Sequence, residues 1–304
     1  MKPGVASYTI RRFRAMNTDV EAVLQNPAES LAGEAEHWFA YAESTFSRFR
    51  PDSELSRLNR SGGRPCFVSR TMMEVLQLAD SYRTRTMGLF EPLILPALEQ
   101  AGYTDSFERL PVPGTGRATG PFAAAEAVPE LRPAGYAWTL DPRLGAVRSP
   151  EGGRVDLGGI VKGWTVDRVA SWFRGGRRVP AGLINAGGDL SVWGGTPVSP
   201  WKVEVADPRE GTQTLANVLL TNGAAATSSI LGRRWAAAGG VNHHLIDPRT
   251  MAPARRRCGA VHGRRAECRG KRNFRQSGMH SRRGTRAPLA WRNGKGPSGA
   301  DRHP

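Results

Sequence analysis

Val155–Asp167 reads VDLGGIVKGWTVD. A short apolar run gives way to a Gly-Gly pair at 158–159, and from Val161 onward Val166, Val169, Ala170 and Phe173 recur at helical spacing. The stretch therefore predicts a loop feeding a helix, with backbone N–H groups and the Lys162 ammonium at the helix start, an arrangement suited to phosphate oxygens. Taken alone, a Gly-Gly pair is more often a plain tight turn, and Asp156 suits its cap. The surroundings set the fold class. Downstream lie short β-like runs at Leu183–Asn185, Leu190–Trp193, Trp201–Ala206 and Leu215–Thr221. Upstream, Leu31, Ala35, Trp38, Phe39, Ala42, Phe46 and Phe49 predict one helix over about Pro27–Phe49. A second, over about Ser69–Arg85, has Thr71 and Glu74 spaced as a capping box. Helices first and strands later predict an α+β protein, with helices packed on a mixed or antiparallel β core.

The chain has 304 residues, 39% of them hydrophobic, enough to bury a real core and to exclude a disordered or fibrous protein. Its net charge of +16 suggests a nucleic-acid or anionic-membrane partner until the charges are located. Residues 255–304 hold 15 Lys and Arg against 2 Asp and Glu, while residues 1–254 hold 28 and 25. The body is nearly neutral. The tail has no apolar periodicity and only Phe274 and Trp291 as aromatics, so it predicts a disordered basic segment capable of non-specific, salt-sensitive binding and no specific nucleic-acid partner. No apolar stretch is long enough to span a membrane and no secretory leader is legible, which makes the cytoplasm the expected location. Cys66, Cys258 and Cys268 fit neither a disulfide framework nor a zinc ligand spacing. Neither a GxGxxG after a predicted strand nor a GxxxxGK occurs, so any nucleotide site is built differently.

Four segments of the second half place small residues beside polar ones at the ends of apolar runs: VDLGGIVKG, NAGGDL (Asn185–Leu190), ATSS (Ala226–Ser229) and HHLIDPRT (His243–Thr250). With AMNTDV around Met16 and SRFRPDSELSRLN (Ser47–Asn59), the ordered set resembles the ApbE family of FAD:protein FMN transferases, over about residues 10–254. The resemblance implies a single ApbE-type domain that cleaves the pyrophosphate of FAD, joins FMN through its phosphate to a Thr hydroxyl of an acceptor flavoprotein, and releases AMP with Mg²⁺ present. Hydrolysis of FAD to FMN and AMP is the neighbouring chemistry.

Position by position, the resemblance assigns flavin-nucleotide contacts to Met16, Phe49, Leu89, Phe90, Glu91, Asp156, Lys162 and Ile246. Phe49 has the flat apolar face a ring system needs. The Val161 carbonyl aligns with a metal ligand, Asn59 with an Asn that separates transferases from hydrolysing relatives, and His244 with the general base. Met16 and Phe90 suit a core position as well. Asn17, Met87 and Met251 stand where the family pattern has Gly, Asp and Gly, and each departure bears on a turn. The larger departure follows Thr250, where the family continues with an apolar strand and a helix whose Asp or Asn and Thr complete the metal site. Read one nucleotide later with GC-rich wobble bases, Val261–Asn273 can spell STVAAPSAVANAT, which resembles that missing part, so a shifted reading frame near residue 254 is the expected origin of the tail.

Overall fold

The computed structural model describes residues 7–26, 29–113, 137–207, 213–229, 233–237, 240–254 and 260–266. These fall into two compact units, the first drawn from Met1–Ala40, Lys162–Leu231 and Arg257–Pro304, the second from Tyr41–Val161 and Gly232–Arg256. The first is built on a six-stranded antiparallel sheet. Its spatial order is β1 (Tyr8–Ala15), β2 (Thr18–Gln25), β6 (Gly182–Ala186), β7 (Asp189–Trp193), β10 (Gly223–Ser229) and β15 (Ala260–Ala266). On one face Val20, Ala22, Leu24, Ile184 and Ala186 pack with Ala32, Ala35 and Phe39 of α1 (Glu29–Phe46) and with Val166, Val169 and Phe173 of α5 (Val161–Ser171). On the other, Val23, Leu183 and Val192 meet Trp201, Val203 and Leu220 of the hairpin β8 (Trp201–Ala206) and β9 (Thr214–Leu220). Burial on both faces explains why residues 20–24 of β2 and most of β6 are buried without alternation.

The second unit contains α2 (Glu54–Asn59), α3 (Arg70–Arg85) and α4 (Leu95–Gln100). It also contains a three-stranded antiparallel sheet ordered β3 (Cys66–Phe67), β5 (Ala146–Arg148) and β4 (Thr139–Asp141). Two hairpins close it, β11 (Arg234–Ala237) with β12 (Gly240–His243) and β13 (Ile246–Asp247) with β14 (Ala252–Pro253). Its cluster of Leu98, Ala101, Tyr103, Leu110 and Trp235 is the packing floor for residues taken up below. No described helix is long and apolar enough to cross a membrane.

The α+β class and the three long helices stand as expected from periodicity, but the order of elements does not. The chain opens with the hairpin β1–β2, ahead of any helix. β1 is an exposed edge carrying Arg11, Arg12 and Arg14, so it lacks the alternation that announces a strand. The cap of α3 also differs: Ser69, rather than Thr71, accepts the Met72 N–H at 3.1 Å, and its own hydroxyl donates to Glu54 at 2.8 Å. A third difference lies beyond residue 254. Ala260–Ala266, within the tail expected to be disordered, pairs residue for residue with β10 from Gly223↔Ala266 to Ser229↔Ala260. Ladder hydrogen bonds use backbone groups alone, so an edge strand forms without the apolar pattern on which sequence reading depends. The Pro-rich segment and the rest of the tail lie largely outside the described residues.

Two of the family departures are legible as backbone geometry. At the end of α3, Gly88 N–H donates to Arg83 O at 2.8 Å and Met87 N–H to Thr84 O at 3.1 Å, the hydrogen-bond pair of a Schellman motif. Met87 occupies its left-handed position at φ +51°, with 91% of the residue exposed. A side chain there buries nothing and pays a left-handed penalty. Met87→Gly is therefore expected to raise stability by about 0.5–1 kcal/mol, read as a higher urea midpoint at unchanged slope. Met251, at φ +52°, closes the Asp247–Thr250 turn in the same conformation.

Candidate functional site

The segment Ser47–Asn59 owes its polar spacing to local bonding. Ser53 caps α2 by accepting the Ser56 N–H at 3.0 Å, and its hydroxyl donates to Ser47 O at 2.6 Å. The Ser56 hydroxyl donates to Arg48 O at 3.3 Å. These bonds fix the backbone that presents Arg48 and Phe49. At the far end of α2, Asn59 clamps the strand-like chain at 155: its Nδ2 donates to Val155 O at 2.9 Å and its Oδ1 accepts the Val155 N–H at 2.7 Å. The next residue, Asp156, accepts the Gly158 N–H on Oδ1 at 2.8 Å, and its Oδ2 lies 2.9 Å from Arg48 Nε. That last contact is an ion pair held by charge, since the N–H direction does not align into a hydrogen bond. Asp156 is thus both the turn cap that its sequence position allowed and one half of an ion pair.

Phe49 and Ile246 pack against the same cluster of Tyr103 and Trp235, although nearly 200 positions separate them. Phe90 stands edge-on to Tyr82 at 5.9 Å and approaches Gly159 so closely that a Cβ there would sit 3.4 Å from its ring. Glu91 is buried, with Oε2 2.9 Å from Arg83 Nε and Oε1 accepting the Leu93 N–H at 3.0 Å. It therefore braces the loop, while Leu89 is exposed. The structure brings Phe49, Asn59, Phe90, Asp156 and Ile246 into one connected neighbourhood of the second unit.

The HHLIDPRT segment is a hairpin. Asp247 accepts the Arg249 N–H at 3.0 Å and its carbonyl accepts the Met251 N–H at 2.8 Å, which turns the chain from β13 to β14. Its two histidines have separate situations. His243 Nδ1 accepts the Leu245 N–H at 3.3 Å and Nε2 donates to Ala254 O at 3.0 Å, so the ring is fixed as the neutral Nε2–H tautomer. Burial is the main cause of a pKa below the usual imidazole value. The unfolded chain consequently binds a proton below about pH 6.5 that the folded chain refuses, so this group's contribution to stability is lost as pH falls. His243→Gln is expected to flatten the stability profile between about pH 7 and 5, measured by urea unfolding at each pH. His244, directly ahead of Leu245 and Ile246, stands at the position that the resemblance aligns with the general base.

In the first unit, Met16 and Asn17 form the two-residue turn between β1 and β2, both at positive φ (+50° and +57°), as a type I′ turn requires. Asn suits that backbone better than Met, which packs against the sheet-and-helix core. Gly187 of NAGGDL sits against this hairpin at φ +60°, and a Cβ there would fall 2.1 Å from Thr18 Oγ1. Asp189 of the same segment lies 3.9 Å from Lys162 Nζ, joining the VDLGGIVKG and NAGGDL motifs through an ion pair. Both side chains are about one-fifth exposed, leaving the ammonium accessible to an anion. Sequence reading named Lys162 but overlooked Asp189 and Arg48. The sequence carries no distinct signal for Arg48, which stands between Ser47 and Phe49 with a second arginine at 50.

The metal implied by the resemblance is poorly provided for. Mg²⁺ prefers an octahedron of oxygens that includes one or two carboxylates. Among the described residues no three His, Cys, Asp or Glu side chains converge on a point, and both Asp156 and Asp189 already face a cation. The Val161 carbonyl is the one implied ligand placed here, at the first residue of α5. The described donor set does not fit the ion.

The ApbE family profile matches residues 16–262, beyond the expected boundary at 254. The chain is 26% identical to the FAD:protein FMN transferase of Klebsiella pneumoniae over 248 residues, covering 78% of this chain and 71% of the relative. It is 25% identical to the Vibrio cholerae protein of the same name over 238 residues, 77% of this chain and 68% of the relative. Among solved structures, the ApbE protein of Thermotoga maritima superposes with a TM-score of 0.71 at 25% identity, covering 84% of this chain and 81% of that one. The flavin transferase ApbE of Vibrio cholerae gives 0.64 at 21% identity, over 86% and 82%, a likeness of fold. With a profile match spanning most of its length and a shared fold, the chain belongs to the ApbE family.

Proposed function

We propose that this chain acts on FAD as an FMN transferase. The P–O bond between the two phosphates breaks, a new P–O bond forms to a threonine hydroxyl of an acceptor flavoprotein, and AMP leaves. The threonine proton passes to His244. The N–H groups after Gly158 offset phosphate charge, and such positioning supplies most of the catalysis in phosphoryl transfer. One observation carries the reading: Phe49, Asn59, Asp156 and Ile246, from three separate motifs, share a neighbourhood packed around Tyr103 and Trp235 or linked to it through Arg48 and Val155. The relatives' names favour the same substrate.

Among the described residues no cluster of three His, Cys, Asp or Glu assembles a Mg²⁺ site, so the dependence of turnover on Mg²⁺ is part of the test. The test mixes purified chain with FAD and an acceptor flavoprotein, with and without Mg²⁺. Protein-bound flavin on the acceptor and an equal yield of AMP are expected. A chain that binds no FAD overturns the proposal, and AMP release with no labelled acceptor replaces it with hydrolysis.

A further inference from the structure

We propose that Arg48 is a positioning residue for the flavin half of the nucleotide, locking the Phe49 ring and the Asp156 carboxylate into a single rigid piece. The inference rests on reading FAD as the substrate and goes beyond it by assigning a role to a residue to which the family resemblance assigns none. A guanidinium with only 5% of its side chain exposed needs compensation on every side, because a buried unpaired charge is strongly unfavourable. Arg48 obtains it from four directions. Its Cζ lies 4.0 Å from the Phe49 ring centroid and 4.5 Å from that of Tyr103. Its Nη2 donates to Tyr103 O at 2.8 Å, and its Nε faces Asp156 Oδ2 at 2.9 Å.

The surrounding structure makes this arrangement stiff. Tyr103 is stacked on Trp235 at 5.0 Å and 27°, and the Trp235 Nε1–H is fixed to Ala101 O at 2.7 Å. Asp156 is held from behind by its N–H, which donates to Pro92 O at 2.9 Å, and by Gly158. Arg48 is therefore the plate between an aromatic wall and an acidic turn. Only a flat, delocalised cation can lie against two rings and still direct N–H groups along its edge. A lysine keeps the charge and loses the plate. Phe49 then gives up its cation–π contact, and the Asp156 carboxylate retains the Gly158 N–H alone.

The experiment uses the full chain and titrates FAD, FMN and AMP separately by fluorescence quenching or calorimetry. Arg48→Lys is expected to weaken FAD and FMN by about tenfold or more while AMP affinity stays within twofold, because the ring support serves the isoalloxazine. A role confined to folding would weaken all three together, and that outcome overturns the assignment. Equal FMN affinity in Arg48→Lys and the unmodified chain also overturns it. Should Arg48→Lys fail to fold by thermal melt, Tyr103→Leu carries the test by removing the second ring alone, and unchanged FMN affinity there is fatal. An unmodified chain that binds neither FAD nor FMN removes the flavin reading itself, and the Arg48 role with it.

Discussion

Gly194→Ala is expected to lower the unfolding free energy by about 3 kcal/mol or more, combining a left-handed backbone penalty with overpacking. Gly194 follows β7 at φ +72°, where its N–H donates to Asn222 Oδ1 at 3.0 Å. A Cβ at that position would lie 2.1 Å from Pro180 O and 2.6 Å from Ala181 Cα, both backbone atoms with no rotamer to change. Relief requires β7 to move away from the segment that leads into β6, and Trp193, 2% exposed, stands at that point with its Nε1–H on Val179 O at 2.9 Å. The disturbance would thus enter the core of the sheet. Gly33 supplies the matched control. It lies within α1 with nothing inside 4 Å of its added Cβ, so Gly33→Ala should stabilise by roughly 0.5–1 kcal/mol through helix propensity. Urea midpoints for the pair should move in opposite directions. A small effect at Gly194 would mean that β7 yields more easily than its packing indicates.

His244→Ala is expected to slow transfer to the acceptor by about 100-fold while leaving FAD affinity within twofold, the signature of a lost proton acceptor. The neighbouring residue gives the contrast. His243 is committed through both ring nitrogens to the turn that precedes Ile246, so His243→Ala should lower the melting temperature and alter transfer only in proportion to the folded fraction. Single-turnover labelling of the acceptor, compared with FAD titration and a thermal melt for both variants, separates the two roles. If His243→Ala proves the slow variant at full folded population, the base has been placed on the wrong histidine.

The legible parts of this chain were those whose periodicity had one cause. α1, α3 and α5 each bury one stripe, and β8 alternates Trp201, Val203 and Val205 toward a single face, so their patterns survive in the sequence. β1 and β2 were opaque for opposite reasons: one is charged and exposed along an edge, the other is buried on both faces over residues 20–24 with Glu21 breaking its apolar run. The motif segments were found as a set, yet their spacing could not state who holds whom. Asn59 and Val155 are 96 residues apart, and Lys162 and Asp189 meet only because β6 returns antiparallel to β7. Arg48 was overlooked because a buried cation leaves no periodic trace. Its partners come from Tyr103 and Asp156, far along the chain.

The strand β15 bears on how this protein behaves at high concentration. Without it, β10 would end the sheet with a seven-residue row of unpaired amides and carbonyls, the kind of template on which a second copy can add by strand pairing. A stretch of almost any composition can cap that row, and the one present includes Arg264 and Arg265 in its sequence. Charged residues in an edge strand discourage further strand pairing. The composition of that short segment can therefore still decide whether the chain remains dispersed or aggregates.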